Sequence, residues 1–406
     1  MAVDSISQIF QREWGRTVAS LIRYCGNFDL AEDAVQDAFV IACDAWVDNG
    51  IPANPGGWIA TTARRRLIDR LRREAARDAK EALVSVVQEM PSDPAEAEDD
   101  RLRLIFTCCH PALGLDARVA LTLRTVCGLS TEEIAETFLV PVATMGQRIS
   151  RAKRKIVVAG IPYVVPEPIE LPGRLSAVLA VFYLIFNTGY NAVVRPTADD
   201  EGRSAEAIRL TRLLTVLVPN EPEIIGLLAL MLLNQARRST RTDSSGEIVL
   251  LGDQDRSKWD WALIGEGLSL VERAPQLGSV GQYWLQAAIV VEHVAPSTGE
   301  DRDWRRICSL YDRLVQQTGG SVVVQLNRAI AVSMLHGPEV ALALLEPFRE
   351  RLDGYVYFHS AEADFLARSG RRVAATAAYR RAIELTDNES QRRSLTRALE
   401  NLDGFT

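Results

Sequence analysis

The chain has 406 residues, 24% of them charged and 47% hydrophobic, with a formal net charge of −7. That length supports two or three domains with cores of their own, and the mildly acidic balance by itself argues nothing for nucleic acid. The six cysteines, Cys25, Cys43, Cys108, Cys109, Cys127 and Cys308, are scattered, which suits reduced, buried thiols rather than a disulfide framework. No charged-then-apolar leader opens the sequence, and no apolar run is long enough to span a bilayer. The longest candidate, Leu175 to Phe186, reads as a buried helix. The expected location is the cytoplasm, with no membrane contact.

Charge is unevenly distributed. Residues 64–77 and 148–155 are strongly cationic, whereas 81–100 carry Glu81, Glu89, Asp93, Glu96, Glu98, Asp99 and Asp100. Almost every segment has helical periodicity, so the predicted fold is all-α. Residues 5–25 and 29–46 are expected to form two amphipathic helices. In the second, Leu30, Ala34, Val35, Ala38 and Ile41 face inward, and Glu32, Asp33, Gln36 and Asp37 form an outward acidic patch. A loop with Asn54, Pro52 and Pro55 leads to a helix over 56–78, with Trp58 near its start and a basic stripe of Arg64, Arg65, Arg66 and Arg70 behind it. Residues 79–100 read as an acidic, proline-containing linker.

Helices resume at 101–110 and 116–127. Between them, Cys108-Cys109-His110 could serve packing, or a metal or thiol sensor. Adjacent cysteines cannot easily both turn to one metal, and no second C-x-x-C or histidine pair lies nearby. Packing is therefore the expected role, and no metal site is expected.

The densest signal runs from Leu129 to Lys155. Ser130 and Glu133 make a capping box, and Ile134 and Phe138 share one face of the short helix that follows. Pro141 breaks this helix, and Thr144 is placed to help open a second. The second helix has Met145, Ile149 and Ala152 at core spacing, and Arg148, Arg151, Lys153, Arg154 and Lys155 on its outer face. The pair reads as a helix-turn-helix with its second helix in a DNA major groove. An ordinary helical hairpin with a solvated basic face is the alternative, but five cations within residues 148–155 are more than solubility needs. In a groove, Gln147 suits adenine and Arg148 guanine, while Arg151, Lys153 and Arg154 hold phosphates.

These motifs resemble the extracytoplasmic-function (ECF) sigma factors of bacterial RNA polymerase. The runs L-A-E-D-A-V-Q-D-A-F from Leu30 and W-I-A-T-T-A-R-R-R-L-I-D-R-L-R-R-E from Trp58 look like their region 2. A-L-T-L-R from Ala120, G-L-S-T-E-E-I-A-E from Gly128 and Q-R-I-S-R-A-K-R from Gln147 look like region 4. The resemblance covers about the first 160 residues. It implies that 1–78 is region 2, 79–100 a linker suited to the polymerase's cationic RNA path, and 101–160 region 4. It implies that Glu32, Asp33, Gln36 and Asp37 bind core RNA polymerase. Asn54, Trp58, Arg64, Arg65, Arg66 and Arg70 would serve the −10 element and its melting, by stacking and backbone contacts, and Thr144 with the recognition helix would serve the −35 element. The sequence departs from the family at Gly146, where a polar or basic side chain is common, and at Arg65, where many relatives have Asn.

Four prolines between Ile161 and Pro172 mark a boundary. Beyond it, 173–300 is helical without clear periodicity, and 301–406 is repetitive. Two helix pairs, Val324–Leu335 with Glu339–Phe348 and Tyr357–Ser369 with Val373–Leu385, have turn glycines Gly337 and Gly370 spaced 33 residues apart. The second pair resembles a tetratricopeptide repeat (TPR), and Glu389 to Leu402 would cap it. Asp253-Gln254-Asp255-Arg256 followed by Trp259 is either an N-capping loop with a local Asp–Arg pair or a hinge docking this extension on the sigma domains. That element and F-T-C-C-H-P also occur in a small ECF-like group with long extensions. The resemblance implies a promoter-specific initiation factor regulated by its extension, with a protein or ligand in the repeat groove. It implies no cofactor, and no nucleophile–base set or phosphate loop supports an enzyme. A helix-turn-helix regulator independent of core polymerase and a TPR-type scaffold are the competing readings.

Overall fold

The computed structural model describes residues 2–75, 94–138, 140–190, 198–243, 247, 249, 251–295, 302–386 and 388–403. Helices dominate, and the chain divides into two compact units, Met1–Ile185 and Phe186–Thr406. The division lies inside the helix Leu171–Tyr190 rather than at the prolines before it. That helix buries Leu175, Val178, Val181, Phe182 and Ile185. Among the described residues no helix is long and apolar enough to cross a membrane.

The first unit begins with α1 (Ala2–Cys25), α2 (Phe28–Asn49) and α3 (Pro55–Ala75). Asn27 caps α2 by accepting from the Leu30 N–H at 3.1 Å. Helix α3 turns Ile59, Ala63, Leu67 and Leu71 inward at i, i+4 spacing, all at most 1% exposed. Most of the linker expected over 79–100 lies outside the described residues, but its last part is helical. Helix α4 runs from Pro94 to Cys108, and Asp100 on it is buried beside Arg23 and Arg103 at 3.7 and 2.5 Å. An acidic residue with two cationic neighbours gains more from ordered helix than from solvated linker, and proline is tolerated in a first helical turn.

Helices α5 (Leu115–Thr125), α6 (Thr131–Thr137) and α7 (Val142–Val158) complete the unit with the first part of α8 (Leu171–Tyr190). The capping box forms as expected. Ser130 N–H donates to Glu133 Oε2 at 2.6 Å, and Glu133 N–H donates to Ser130 Oγ at 3.2 Å. Thr144 does not open α7. Pro141 stands at the cap position with extended backbone, and Thr144 is exposed within the first turn. Proline loses nothing there, because a helix-start N–H has no intrahelical acceptor.

The second unit contains α9 (Ala198–Leu217), α10 (Pro222–Gln235), α11 (Trp261–Arg273), α12 (Gln282–Val294) and α13 (Trp304–Gln317). Helix α10 is apolar on every side and buried from Ile224 through Leu233, as the central helix of a bundle must be. Its Gly226 admits the α12 backbone so closely that a Cβ there would sit 2.6 Å from Trp284 N. Glu223 fixes the same junction by accepting from the N–H groups of Gly281, Tyr283 and Trp284 at 2.9, 3.1 and 3.3 Å. Because the clash is with backbone rather than a movable side chain, Gly226→Ala should destabilise this unit by about 3 kcal/mol. A lowered urea midpoint with an unchanged slope is the expected reading.

The helix pairs follow as α14 (Val322–His336) with α15 (Pro338–Leu345), a short α16 (Arg349–Leu352), and α17 (Val356–Arg368) with α18 (Arg372–Leu385). Gly337 and Gly370 adopt φ of 90° and 76° at the turns, where a side chain would be strained. Leu326, Ala329, Ala341, Leu345, Phe358 and Phe365 form one core, and Ala363, Ala375, Ala378, Tyr379 and Leu395 the next. Helix α19 (Glu389–Asp403) closes the stack with a polar outer surface. The C-terminal region is thus TPR-like.

Candidate nucleic-acid interface

Helix α7 has two distinct faces. Met145, Ile149, Ala152, Lys153 and Ile156 are buried, whereas Thr144, Gln147, Arg151, Arg154 and Lys155 are exposed. Arg148 is half-buried, with its guanidinium 5.4 Å from the Phe138 ring centroid and 3.5 Å from Asp116. Gly146 has only the Thr131 methyl near its missing side chain, at 3.9 Å.

Lys153 departs from the expected outer face. It is 9% exposed, and its Nζ lies 2.7 Å from Asp29 and 3.0 Å from Glu32. Its position explains this: Lys153 follows Ile149 by four residues and Met145 by eight, which is the inward stripe of a helix. Glu32 likewise does not belong to an outward acidic patch. It is 3% exposed and accepts from Thr125 Oγ1 at 2.9 Å and Arg124 Nε at 3.1 Å, beside Lys153. Glu32 follows Phe28 by four residues and precedes Phe39 by seven, so periodicity could have placed it inside. The partners Arg124 and Thr125 carried no sequence signal, since they lie more than ninety residues from Glu32.

This buried cluster fastens α2 to the helix-turn-helix. Two further contacts support it. Trp14 Nε1 donates to the Thr125 carbonyl at 3.2 Å, and a Cβ on Gly15 would lie 2.4 Å from the Val126 carbonyl oxygen. The two motif-bearing segments therefore pack together within the first unit.

Asp33 and Asp37, the other acids of the expected patch, are exposed and half-exposed, and both are paired. Arg70 donates to Asp33 at 2.6 Å and to Asp37 at 2.9 Å, and these carboxylates raise its pKa. Arg70 is thus neutralised by residues assigned to a different task, because α2 and α3 pack side by side. Gln36, Arg65 and Arg66 are exposed, and Arg64 is half-buried. A groove of about 900 Å³ beside them is lined by Leu30, Asp37, Val40, Ile41, Arg66, Arg70 and Arg73. Asn54 is exposed and caps α3, accepting from Gly57 N–H at 2.9 Å. Trp58 packs edge-on against Trp46 with ring centroids 5.3 Å apart, leaving part of its surface in solvent.

Cys108 and Cys109 are buried, and desolvation raises both thiols, Cys109 to about 11. Cys109 Sγ meets Thr122 Oγ1 at 3.4 Å, and His110 Nδ1 accepts from Ala112 N–H at 3.1 Å. Both are packing roles. In the second unit, Gln254 is buried against Thr240 and the Val249 carbonyl. Asp253 is exposed, and Asp255 caps a short turn by accepting from Ser257 N–H at 3.1 Å. Among the described residues the local Asp–Arg pair of the capping-loop alternative does not form, because Arg256 instead reaches the Val294 carbonyl and lies 4.5 Å from the Trp259 ring centroid.

Sequence comparisons match three separate stretches of the chain. The family Sigma-70 region 2 matches residues 10–77, and Sigma-70, region 4, matches 103–156. A family of unknown function (DUF6596) matches 174–275. An uncharacterized protein of Rhizobium meliloti is 42% identical over 95% of this chain and 93% of its own length. The probable ECF RNA polymerase sigma factor SigI of Mycobacterium tuberculosis is 31% identical over 38% of this chain and 54% of its own. The ECF RNA polymerase sigma factor SigE of Mycolicibacterium smegmatis is 28% identical over 38% of this chain and 61% of its own. The sigma-70 regions and these relatives define a non-enzymatic sigma factor. The chain belongs to the ECF sigma factors and carries a long C-terminal helical extension.

Proposed function

We propose that this protein binds core RNA polymerase and directs it to specific promoters, with α7 reading an upstream element and the start of α3 serving the downstream one. The observation that carries the reading is the two-faced α7, whose apolar side is anchored while Thr144, Gln147, Arg151 and Arg154 stand in solvent. A helix so held can enter a major groove without leaving its domain. Gln147 is assigned to a base edge, with Arg148 beside it once released from Asp116, and Arg151 and Arg154 to phosphates. Lys153 is assigned to the contact with Glu32 instead. Asn54, Trp58, Arg64, Arg65 and Arg66 are assigned to the single-stranded downstream element, and Asp33, Gln36 and Asp37 to core polymerase.

Binding by holoenzyme to a promoter library tests the base assignment. Gln147→Ala should cost roughly 1–3 kcal/mol and relax preference at one position. Arg154→Ala should weaken all promoters about equally and reduce the salt dependence. Identical behaviour of the two variants across the library would contradict it.

The packed arrangement of the two regions suits a resting state. Reaching two separate promoter elements requires the Glu32–Lys153 contact to open, so polymerase and DNA would draw the protein into an open form. The extension is assigned a regulatory role. A covalently attached partner acts at fixed effective concentration, and the Asp253–Trp259 segment is its candidate point of control.

A further inference from the structure

The segment between α7 and α8 belongs to neither sigma-70 region, for the region 4 match ends at residue 156 and the next match begins at 174. It is nonetheless firmly placed. Ile161 and Pro166 are buried. Pro162, Pro166, Pro168 and Pro172 each fix one backbone dihedral, so holding the segment costs little chain entropy.

The segment rides on α4. Pro162 O lies 3.4 Å from Thr107 Oγ1, and just inside α8 Arg174 Nη2 donates to Phe106 O at 2.9 Å. From this mount Tyr163 reaches across to α1. Its hydroxyl stands 2.9 Å from the Ala19 carbonyl oxygen of α1 and 3.2 Å from the Asp100 carbonyl oxygen of α4, so one proton serves both helices. The Asp100 carboxylate spans the same seam, 3.7 Å from Arg23 of α1. Helix α1 is part of region 2, and α4 leads into region 4. Parting the two regions along this seam breaks the Tyr163 bond to α1. The segment continues directly into α8, the helix that runs on into the second unit.

We propose that residues 161–170 are a clasp: Tyr163 holds α1 against α4, and the extension controls its release through α8. The regulatory half of this rests on the initiation reading, whereas the clasp itself does not. By linkage, a partner of the extension that displaces the segment favours the parted form as strongly as parting favours that partner.

Cys127 reports parting. It is 6% exposed and lies between Val126 and Gly128, both of which meet α1. A Cβ on Gly15 would clash with the Val126 carbonyl, and one on Gly128 would lie 2.9 Å from Phe10 and Trp14. Cys109 instead packs on Thr122 of α5, within region 4, and reports unfolding.

The experiment is modification of the full chain by N-ethylmaleimide, followed cysteine by cysteine with mass spectrometry. At reagent levels where the rate is proportional to reagent, it measures even a small parted fraction. Tyr163→Phe keeps the ring and removes the hydroxyl, and both carbonyls retain their intrahelical donors. It should speed modification of Cys127 about fivefold, the contribution of one hydrogen bond, and leave Cys109 and Cys308 unchanged. Capture by core polymerase should tighten by a similar factor, because the closed form must part first. Unchanged Cys127 would overturn the clasp, and equal acceleration of Cys109 would reduce Tyr163 to a general stabiliser of the fold. Faster Cys127 with unchanged core affinity would overturn the regulatory role. A wild type that does not bind core at all would fault the initiation reading instead, and the thiol result would still decide the clasp.

Discussion

Replacing Glu32 with Ala should lower the stability of the first unit by about 3 kcal/mol, because it leaves the buried Lys153 with the exposed Asp29 alone and removes the counter-charge of Arg124. The carboxylate also accepts the Thr125 hydroxyl, which would be left without its partner. For a unit of this size the expected fall in Tm is about 10 °C. The double variant Glu32→Leu, Lys153→Met should recover the part of the loss that belongs to Lys153, since apolar residues of similar volume can replace a buried pair, while Arg124 and Thr125 stay without their carboxylate. Differential scanning calorimetry of both single variants and the double gives the coupling energy directly. A fall of under 1 kcal/mol in Glu32→Ala would show that the cluster is hydrated and loosely held.

The second large effect concerns capture by polymerase. Simple charge reversal at Asp33 and Asp37 would press new cations against Arg70, confusing lost binding with lost folding. Exchanging the signs across the contact avoids this. Asp33→Arg and Asp37→Arg combined with Arg70→Glu keeps opposite charges paired while inverting the surface that polymerase would meet. Each of these exposed pairs contributes little to stability, about 0–1 kcal/mol, so the triple variant should melt within a few degrees of wild type. Its affinity for core polymerase should nonetheless fall by more than tenfold, or over 1.4 kcal/mol. Surface plasmon resonance on immobilised core polymerase reads this, and unchanged affinity would remove the acids from the interface.

Much of the first unit was legible because it rests on local rules. The Ser130–Glu133 capping box, the i, i+4 stripe of α3 and the apolar face of α7 each depend on residues close in sequence. Lys153 and Glu32 were misread for one reason: their charge outweighed their position on an inward stripe. Local pattern places a charged residue at a core position, but only its distant partners make burial favourable. Arg124 and Thr125, more than ninety residues from Glu32, could not be matched with it by spacing. The same limit hid the pairing of Arg70 with Asp33 and Asp37.

In the second unit, the turn glycines at 337 and 370 and the alanine-rich helix pairs were readable as repeats. The all-apolar α10 gave a helix but not its neighbour, since a helix without a polar face has no preferred orientation in the pattern. Gly226 and Trp284 identify that neighbour only in three dimensions.

The central claim is that this chain is an initiation factor working through core polymerase. The most direct test mixes purified core RNA polymerase with the full chain, isolates the complex by size exclusion, and assays run-off transcription from a promoter library. The account predicts a one-to-one complex and transcripts from a restricted set of promoters on which core alone is silent. Failure to co-elute with core, together with site-specific DNA binding by the chain alone, would contradict it and identify an independent helix-turn-helix regulator.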